Sequence, residues 1–179
     1  MIAVIRGDLA GQPAQGVLRP VTAEWTAVTG AMRRLEAVIG PEIESQCRSL
    51  GELPVGSALV TAGGGLPAGL LIHVVVRSAT QPVTAAMVGN GLRNGLLRAE
   101  QWGIESLALP PLGIGAGNLD AEESAEVMVP ILQEWLRGGS PPREIRIVVE
   151  SNYEFEAFDR RVRQTPAPGG AAGLPLLDP

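Results

Sequence analysis

The feature of this sequence that most constrains its fold is a short segment, residues 105–120, which reads ESLALPPLGIGAGNLD. Residues 106–109 form an apolar run that is long enough for one buried strand. Two prolines end this run, because a proline nitrogen carries no hydrogen for a sheet ladder. Three glycines follow within five residues, and Asn118 or Asp120 is placed to cap a helix that begins near Ala121. The segment therefore predicts a buried strand, a glycine turn and a helix N-terminus.

A turn of this kind can surround an anion with backbone N–H groups. Glycine reaches positive φ without strain and has no side chain that would obstruct a ligand. A helix N-terminus adds unpaired N–H groups and a partial positive charge. We therefore predict a phosphate or pyrophosphate site at this turn. The alternative is a tight strand–helix connection that binds nothing.

The rest of the chain alternates between strand and helix patterns. Apolar or β-branched runs predict six strands, at residues 2–5, 17–18, 57–61, 70–76, 106–109 and 145–149. Apolar residues at spacings of three and four predict five helices, at residues 22–39, 41–50, 81–102, 121–137 and 153–162. We expect Pro20 to end the second strand, Leu50 and Leu97 to face inward, and Pro130 to kink the fourth helix or delay its start.

This alternation favours an α/β fold with three layers, in which helices cover both faces of a mixed, mostly parallel central sheet. The predicted domain covers residues 1–164. Residues 165–179 are rich in Pro, Gly and Ala and show no periodicity, so we expect a loose C-terminal tail. Ligands of such folds bind at the carboxyl ends of the strands, where the glycine turn lies.

Composition excludes several classes of function. All 14 basic residues are Arg, which rules out a Walker-type phosphate loop and Schiff-base chemistry because both need Lys. A single His and a single Cys are too few for a His/Cys zinc site, and we expect neither a metal nor a cofactor. The net charge of −5 argues against polymeric nucleic acid, and no apolar run approaches the roughly 20 residues of a membrane span. One cysteine cannot form an internal disulfide, which favours the cytoplasm.

Short motifs in a fixed order add a family resemblance. Gly7-Asp8-Leu9 follows the first predicted strand, and Ala108-Leu109-Pro110 leads into the glycine turn. Further short matches are Gly56-Ser57-Ala58 with Thr61, Leu66-Pro67, Ile72-His73-Val74 and Ala125. In this succession, over roughly residues 2–162, the sequence resembles the macro domain, an α/β module that binds ADP-ribose.

The resemblance implies ligand-binding roles at two places. Asp8 matches the acidic residue that accepts a hydrogen bond from the adenine amino group, with the Leu9 backbone beside it. The alternative for Asp8 is a side chain that caps a turn. The glycine turn matches the loop whose N–H groups hold the diphosphate and the proximal ribose; its residues are Gly113, Ile114, Gly115, Ala116 and Gly117.

The sequence departs from the family pattern after the second strand. Where the family has Asn-Ala-Ala-Asn, this chain has Arg19-Pro20-Val21-Thr22. Arg19 or Thr22 therefore stands where an Asn would orient the distal ribose. The family's first glycine-rich phosphate loop is replaced by TGAMRR, residues 29–34, which reads as helix. Arg33 and Arg34 offer bidentate phosphate partners there, and the alternative is two solvated arginines.

A further departure concerns the aromatic residue that stacks on adenine in the family. Glu150 or Ser151 falls near that position, and Tyr153 is the nearest substitute. Losing a stacking ring costs about 1–3 kcal/mol by analogy with base–aromatic stacking. The resemblance therefore implies weaker binding unless another group replaces the ring.

Three more residues have side chains that are capable of catalysis. His73 lies in a β-branched run and is predicted to be a core histidine rather than a catalytic base. Cys47 faces inward on a predicted helix, and we expect it to be inert. Glu24 lies near the altered first loop, within reach of the ligand cleft, and we expect it not to be catalytic, with a catalytic carboxylate as the alternative.

Three functional hypotheses follow. The first is a module that binds ADP-ribose or a related adenine nucleotide diphosphate, with ADP-ribosylated macromolecules as further partners. The second is a hydrolase of the same fold that removes ADP-ribosyl or O-acetyl groups, with a water positioned by Arg19, Thr22 or Glu24. The third is a structural or regulatory oligomer that binds no ligand. The family's Asn and first glycine loop are not matched, so the sequence assigns no catalytic residue to the second hypothesis.

Overall fold

The computed structural model of the protein describes residues 1–115 and 118–164. The predicted tail, residues 165–179, lies outside the described residues. The described chain forms six strands and five α-helices: β1 (Ile2–Arg6), β2 (Gly16–Thr22), α1 (Gly30–Ile39), α2 (Pro41–Ser49), β3 (Ala58–Ala62), β4 (Leu70–Arg77), α3 (Ala85–Gln101), β5 (Ser106–Leu109), α4 (Ala121–Gly138), β6 (Glu144–Val149) and α5 (Asn152–Gln164). Each strand and helix that the sequence predicts is present, and the largest differences in extent are at β2 and α1.

The six strands form one sheet in the order β1-β6-β5-β2-β4-β3. All neighbouring pairs are parallel except β3 and β4, which are antiparallel. The expected mixed, mostly parallel sheet is therefore confirmed. The carboxyl ends of β1, β6, β5, β2 and β4 lie along one edge, where the loops that follow these strands meet. We call this edge the carboxyl edge.

Helices cover both faces of the sheet, and the strand side chains alternate between two cores. In β2, Val17 belongs to one core and its neighbour Leu18 to the other. The first core packs α1 and α2 against the sheet through Met32, Leu35, Ile39, Ile43 and Cys47. The second packs α3, α4 and α5 through residues that include Val88, Leu92, Leu96, Met128, Leu132 and Phe158. This is the three-layer arrangement that the sequence predicts.

Pro20 does not end β2, contrary to the prediction. The strand continues to Thr22, and all seven of its residues are buried. β5 pairs only with Gly16 and Val17, so Pro20 lies beyond the part of β2 that has a partner on both sides. A proline is tolerated where one side of a strand has no neighbouring strand, because no hydrogen bond on that side is lost.

The helix predicted over residues 22–39 begins only at Gly30. Residues 23–29 form a loop instead, in which Trp25 has a φ of 63°. The side chain of Trp25 is buried, and its indole N–H donates to the Gly51 carbonyl at 2.7 Å. The apolar spacing that predicted a helix here reflects the burial of a loop residue. Thr29 caps α1, since its hydroxyl accepts a hydrogen bond from the Met32 N–H at 3.2 Å.

The helix after the glycine turn begins at Ala121, as predicted, and Asp120 caps it. The Asp120 carboxylate accepts from the Glu123 N–H at 2.9 Å, and the Glu123 carboxylate accepts from the Asp120 N–H at 2.9 Å. This reciprocal pair is a capping box. Pro130 lies inside α4 without delaying its start, because the capping box has already fixed the first turn.

Two residues predicted to face inward are exposed. Leu50 is 55% exposed because α2 ends at Ser49 and the helical periodicity does not continue to it. Leu97 is 44% exposed because Leu96 takes the inward position in α3, and the next residue points about 100° around the helix axis. No helix in the described part of the chain combines the length and apolar character that crossing a bilayer requires.

Candidate ligand-binding site

The glycine turn lies at the carboxyl edge, directly after β5. Gly113 has a φ of 79°, and a Cβ there would lie 2.5 Å from Val88 Cγ2. Gly115 has a φ of 137°, and a Cβ there would lie 3.6 Å from the Val28 carbonyl oxygen. Both positions therefore require glycine, for backbone conformation and, at Gly113, for space. Ile114 is half-buried, and Ala116 and Gly117 lie outside the described residues.

The N-terminus of α1 faces this turn. A Cβ at Gly115 would lie 3.8 Å from Thr29 Cγ2, so the turn and the helix start are neighbours. The N–H groups of Gly30 and Ala31 have no carbonyl partner within the helix. The first turn of α1 contains no acidic residue. Such an end carries a partial positive charge and favours an anion.

Two arginines add to this charge. A Cβ at Gly30 would lie 3.6 Å from Arg33 Nη2 and 3.7 Å from Arg34 Nη1, so both guanidinium groups reach back to the start of α1. The N-terminus of α4 is different, because its capping box and Glu122 place carboxylates there. The sequence predicted α4 as the helix beside the anion, but the charges favour the N-terminus of α1.

A pocket of about 380 Å³ lies beside Asp8 at the same edge. Its described lining consists of Arg6, Gly7, Asp8, Arg34 and Glu150. One carboxylate oxygen of Asp8 accepts a hydrogen bond from the Ala10 N–H at 3.1 Å, which caps the 3₁₀ turn Leu9–Gly11. Turn capping, the alternative for Asp8, is therefore present, and the carboxylate also faces the pocket. The Leu9 side chain is buried in the core beneath it.

An ion pair joins the two walls of this pocket. Arg34, on α1, donates to the Glu150 carboxylate at the end of β6, and the two side chains are 64% and 51% exposed. The Glu154 carboxylate accepts hydrogen bonds from the N–H groups of Glu150 and Ser151, at 2.7 and 3.2 Å. The turn that carries Glu150 is therefore held in place from α5.

Tyr153 does not line the pocket beside Asp8. Its side chain is 54% exposed and lies near the carboxylates of Asp120 and Glu122. Partial desolvation raises the pKa of the Tyr153 hydroxyl, and these two carboxylates raise it further. The structure therefore does not bring Tyr153 and Asp8 to one pocket.

Arg19 lies far from solvent, in the middle of β2. Its side chain is 0% exposed and forms ion pairs with Glu44, at 2.7 Å, and with Glu36, at 3.4 Å. Its Nε donates to His73 Nδ1 at 2.9 Å. Burial raises the pKa of the Glu36 carboxyl, the nearby Glu44 adds to the shift, and Arg19 opposes it. Arg19 is therefore committed to partners on α1, α2 and β4, and its guanidinium does not reach the pocket beside Asp8.

His73 is a core histidine with both ring nitrogens in contact with protein. Since Nδ1 accepts from Arg19, the ring proton is on Nε2, which lies 2.8 Å from Thr61 Oγ1. Burial lowers the pKa of His73 to about 3, and Arg19 adds to the shift. Cys47 Sγ lies 3.8 Å from Nε2, and burial raises the pKa of this thiol. A histidine with a pKa of about 3 is too weak a base to deprotonate a thiol whose pKa is raised, so this pair is not an activated nucleophile and its base.

Thr22 and Glu24 both have protein partners. The Thr22 hydroxyl lies 2.8 Å from Thr26 Oγ1 and accepts from the Thr26 N–H at 3.1 Å. The Glu24 carboxylate accepts from the Ala79 N–H at 3.1 Å, and this hydrogen bond is the main reason that the pKa of Glu24 is lowered. A carboxylate with a lowered pKa is a weaker base, so Glu24 fits a loop-holding role better than a catalytic one.

The sequence did not pair Arg34 with Glu150, although both were noted separately. The signal that could have found the pair is positional. Glu150 directly follows a predicted strand, and Arg34 is the fifth residue of α1, the helix that follows β2. Both positions therefore belong to the carboxyl edge of a parallel sheet.

A glycine turn and a cationic helix N-terminus at the carboxyl edge of an α/β sheet are typical of phosphate-binding proteins. The Macro domain family model matches residues 24–128, more than half of the chain. The chain belongs to the macro domain family, as the sequence motifs predicted.

Relatives and solved structures agree with this assignment. The chain is 30% identical to a protein of Aeropyrum pernix, over 92% of this chain and 86% of that one. It is 25% identical to an O-acetyl-ADP-ribose deacetylase of Citrobacter rodentium, over 91% of this chain and 96% of that one. The fold matches an Oceanobacillus iheyensis macrodomain solved with ADP, with a TM-score of 0.83 at 18% identity over 91% and 90% of the two chains. It also matches a Trypanosoma brucei macrodomain in complex with ADP, with a TM-score of 0.80 at 17% identity over 90% and 68%.

Proposed function

We propose that this protein binds ADP-ribose or a closely related adenine nucleotide diphosphate at the carboxyl edge. The proposal rests on one observation: three features suited to binding parts of a nucleotide lie next to one another at this edge. The pocket beside Asp8 is bounded by Arg34, and Arg34 Nη1 reaches the start of α1 at Gly30. The start of α1 in turn neighbours Gly115. A base site, a cationic centre and a glycine turn therefore follow one another along one edge.

Each part of such a ligand has a matching group. The Asp8 carboxylate offers acceptors only, which suits the exocyclic amino group of adenine. The two phosphates would lie between the first-turn N–H groups of α1 and the glycine turn, with Arg33 and Arg34 at hand. Macrodomains of the same fold that were solved with ADP support a nucleotide as the ligand.

Calorimetry with ADP-ribose, ADP, AMP and NAD tests the proposal. We expect heat from wild type with ADP-ribose, and affinity about tenfold or more lower in Asp8→Ala, because a lost polar contact costs about 1–3 kcal/mol. Asp8→Asn is the matched variant: its side-chain oxygen can still cap the turn at Ala10, but its amide would meet adenine with donors. It should fold as wild type and bind as poorly as Asp8→Ala. No heat from any nucleotide would leave the ligand-free oligomer as the better account.

A hydrolase is the second candidate, because relatives that include the Citrobacter rodentium protein are named O-acetyl-ADP-ribose deacetylase. The side chains expected to position water are engaged elsewhere: Arg19 in the core, Thr22 with Thr26, and Glu24 with Ala79. Acetate release from O-acetyl-ADP-ribose tests this candidate. Activity that disappears in Glu24→Gln or Thr22→Ala, with ligand affinity retained, would establish it.

A further inference from the structure

The Arg34–Glu150 ion pair has no counterpart in the roles that the family resemblance implied. It connects α1 with the end of β6 across the pocket beside Asp8, and its two residues are 116 positions apart in the chain. Both side chains are more than half exposed, so the pair adds little to the stability of the fold. Its position, directly at the proposed base site, calls for another explanation.

The pocket lacks the flat surface that a nucleobase normally needs. None of its described lining residues has an aromatic ring. Tyr153, the nearest substitute in the sequence, lies near Asp120 and Glu122 instead. Asp8 can bind the edge of a base, but edge contacts leave both faces of the base without a partner. Stacking contributes strongly to the binding of a base, so its absence would weaken recognition of the base.

The guanidinium of Arg34 is itself a flat, weakly hydrated group that can stack on an aromatic base. One Nη of this group donates to Glu150, and the other lies near Gly30, so the ion pair sets the orientation of the guanidinium. The Glu150 backbone is held in turn by Glu154, whose carboxylate accepts the Glu150 N–H at 2.7 Å. The ion pair therefore orients the Arg34 guanidinium beside the pocket.

We propose that Arg34 supplies the surface on which the nucleobase stacks, in place of the aromatic ring, and that Glu150 is the positioning residue that holds the guanidinium flat. The inference rests on the proposed function, because it names how the same site recognises the base. It makes the adenine end of the ligand depend on an arginine, and it makes Glu150 matter through Arg34 rather than by touching the base.

Arg34→Lys separates stacking from charge. Lysine keeps the positive charge for a phosphate but has no planar group. The two ligands are ADP-ribose, which carries a base, and ribose 5-phosphate, which does not, with Kd measured by NMR titration so that millimolar values are accessible. We expect Arg34→Lys to weaken ADP-ribose about tenfold and to change ribose 5-phosphate less than about twofold. Glu150→Gln should weaken ADP-ribose by about threefold, again without effect on ribose 5-phosphate.

The control is Arg143→Lys. Arg143 pairs with Glu105 at the opposite edge of the sheet, with side-chain exposures of 63% and 49% that match the Arg34 pair closely. It should leave both ligands unchanged. Arg34→Lys that binds ADP-ribose as wild type does, or that weakens both ligands equally, would overturn the stacking role and leave Arg34 a phosphate partner or a surface residue. Wild type that binds neither ligand would instead refute the proposed function itself.

Discussion

Arg19 and Arg34 both pair with glutamates, yet their surroundings give them opposite roles. Arg19 is 0% exposed and reaches Glu44 at 2.7 Å inside the fold, whereas Arg34 is 64% exposed and reaches Glu150 over the proposed base site. A buried charge must keep its partner or destabilise the fold, whereas an exposed pair contributes little to stability. Burial therefore assigns Arg19 to structure and leaves Arg34 free to serve a ligand.

The family resemblance implied a ligand-binding role for Arg19 as well. Position 19 matches the motif that orients the distal ribose, and Arg33 and Arg34 had a solvated surface as their alternative. The structure places the Arg19 side chain among Glu36, Glu44 and His73, on the face of the sheet covered by α1 and α2. Four predictions test this contrast between the two arginines.

Arg19→Ala should lower the free energy of unfolding by about 3–5 kcal/mol, because it leaves Glu44 buried without its cation. Urea denaturation followed by circular dichroism measures this change. The double variant Arg19→Met with Glu44→Leu should recover most of the loss, since apolar side chains replace both charges. Arg19→Ala with normal stability but at least tenfold weaker ADP-ribose binding would instead make Arg19 a ligand residue.

Gly30→Glu should weaken ADP-ribose roughly hundredfold, because like charges placed together in a binding site cost several kcal/mol. The fold should be unharmed, since a carboxylate at a helix N-terminus is favourable by about 0.3–1 kcal/mol. Calorimetry and thermal unfolding measure the two effects. The control is Gly69→Glu, which adds the same charge where a Cβ has open space, just before β4 at the opposite edge of the sheet. Equal losses in both variants would mean that α1 is not the anion site.

As the pH is lowered from 6.5 to about 3, the free energy of unfolding should decrease because of His73. Its pKa is lowered from 6.5 to about 3 in the folded chain, so the unfolded chain binds a proton in this range and the folded chain does not. The contribution is fully present above pH 6.5 and is lost on acidification, by at most about 1.4 kcal/mol per pH unit. Urea unfolding of wild type and His73→Gln across this range isolates it, and parallel pH profiles would contradict it.

Arg34→Ala should change the free energy of unfolding by less than about 1 kcal/mol, because the pair it breaks is exposed to solvent. Urea denaturation at low and at moderate salt measures the change, and any small effect should shrink as salt is added. A loss near that of Arg19→Ala would erase the distinction between the two arginines.

Much of the fold could be predicted because apolar periodicity reports burial directly. The strand before the glycine turn, the helix after it, the Asp120 cap and the parallel sheet all follow from local patterns. The glycine turn follows a predicted strand, which places it at the carboxyl edge, and Asp8 is identified through the family resemblance. The loop around Trp25 was misread as helix, since a buried loop residue at helical spacing gives the same apolar pattern.

The two arginines could not be assigned from sequence for a different reason. The partners of Arg19 lie on α1 and α2, whose packing over β2 decides whether position 19 meets water. Glu150 is 116 residues from Arg34, and no local pattern connects them. Pairs of this kind are set by tertiary structure, and they are also where this chain departs from the motifs of its family.

Trp25 connects the buried cluster around His73 with the loop that precedes α1. Its ring lies edge-on to the His73 ring, with centroids 5.7 Å apart, while its backbone is part of the loop that leads into α1. We therefore expect substitutions beside His73 to shift the loop that leads into α1, and so to change ligand affinity without direct contact to the ligand. Stabilising the interior of this protein and changing its ligand selectivity are for that reason coupled design problems.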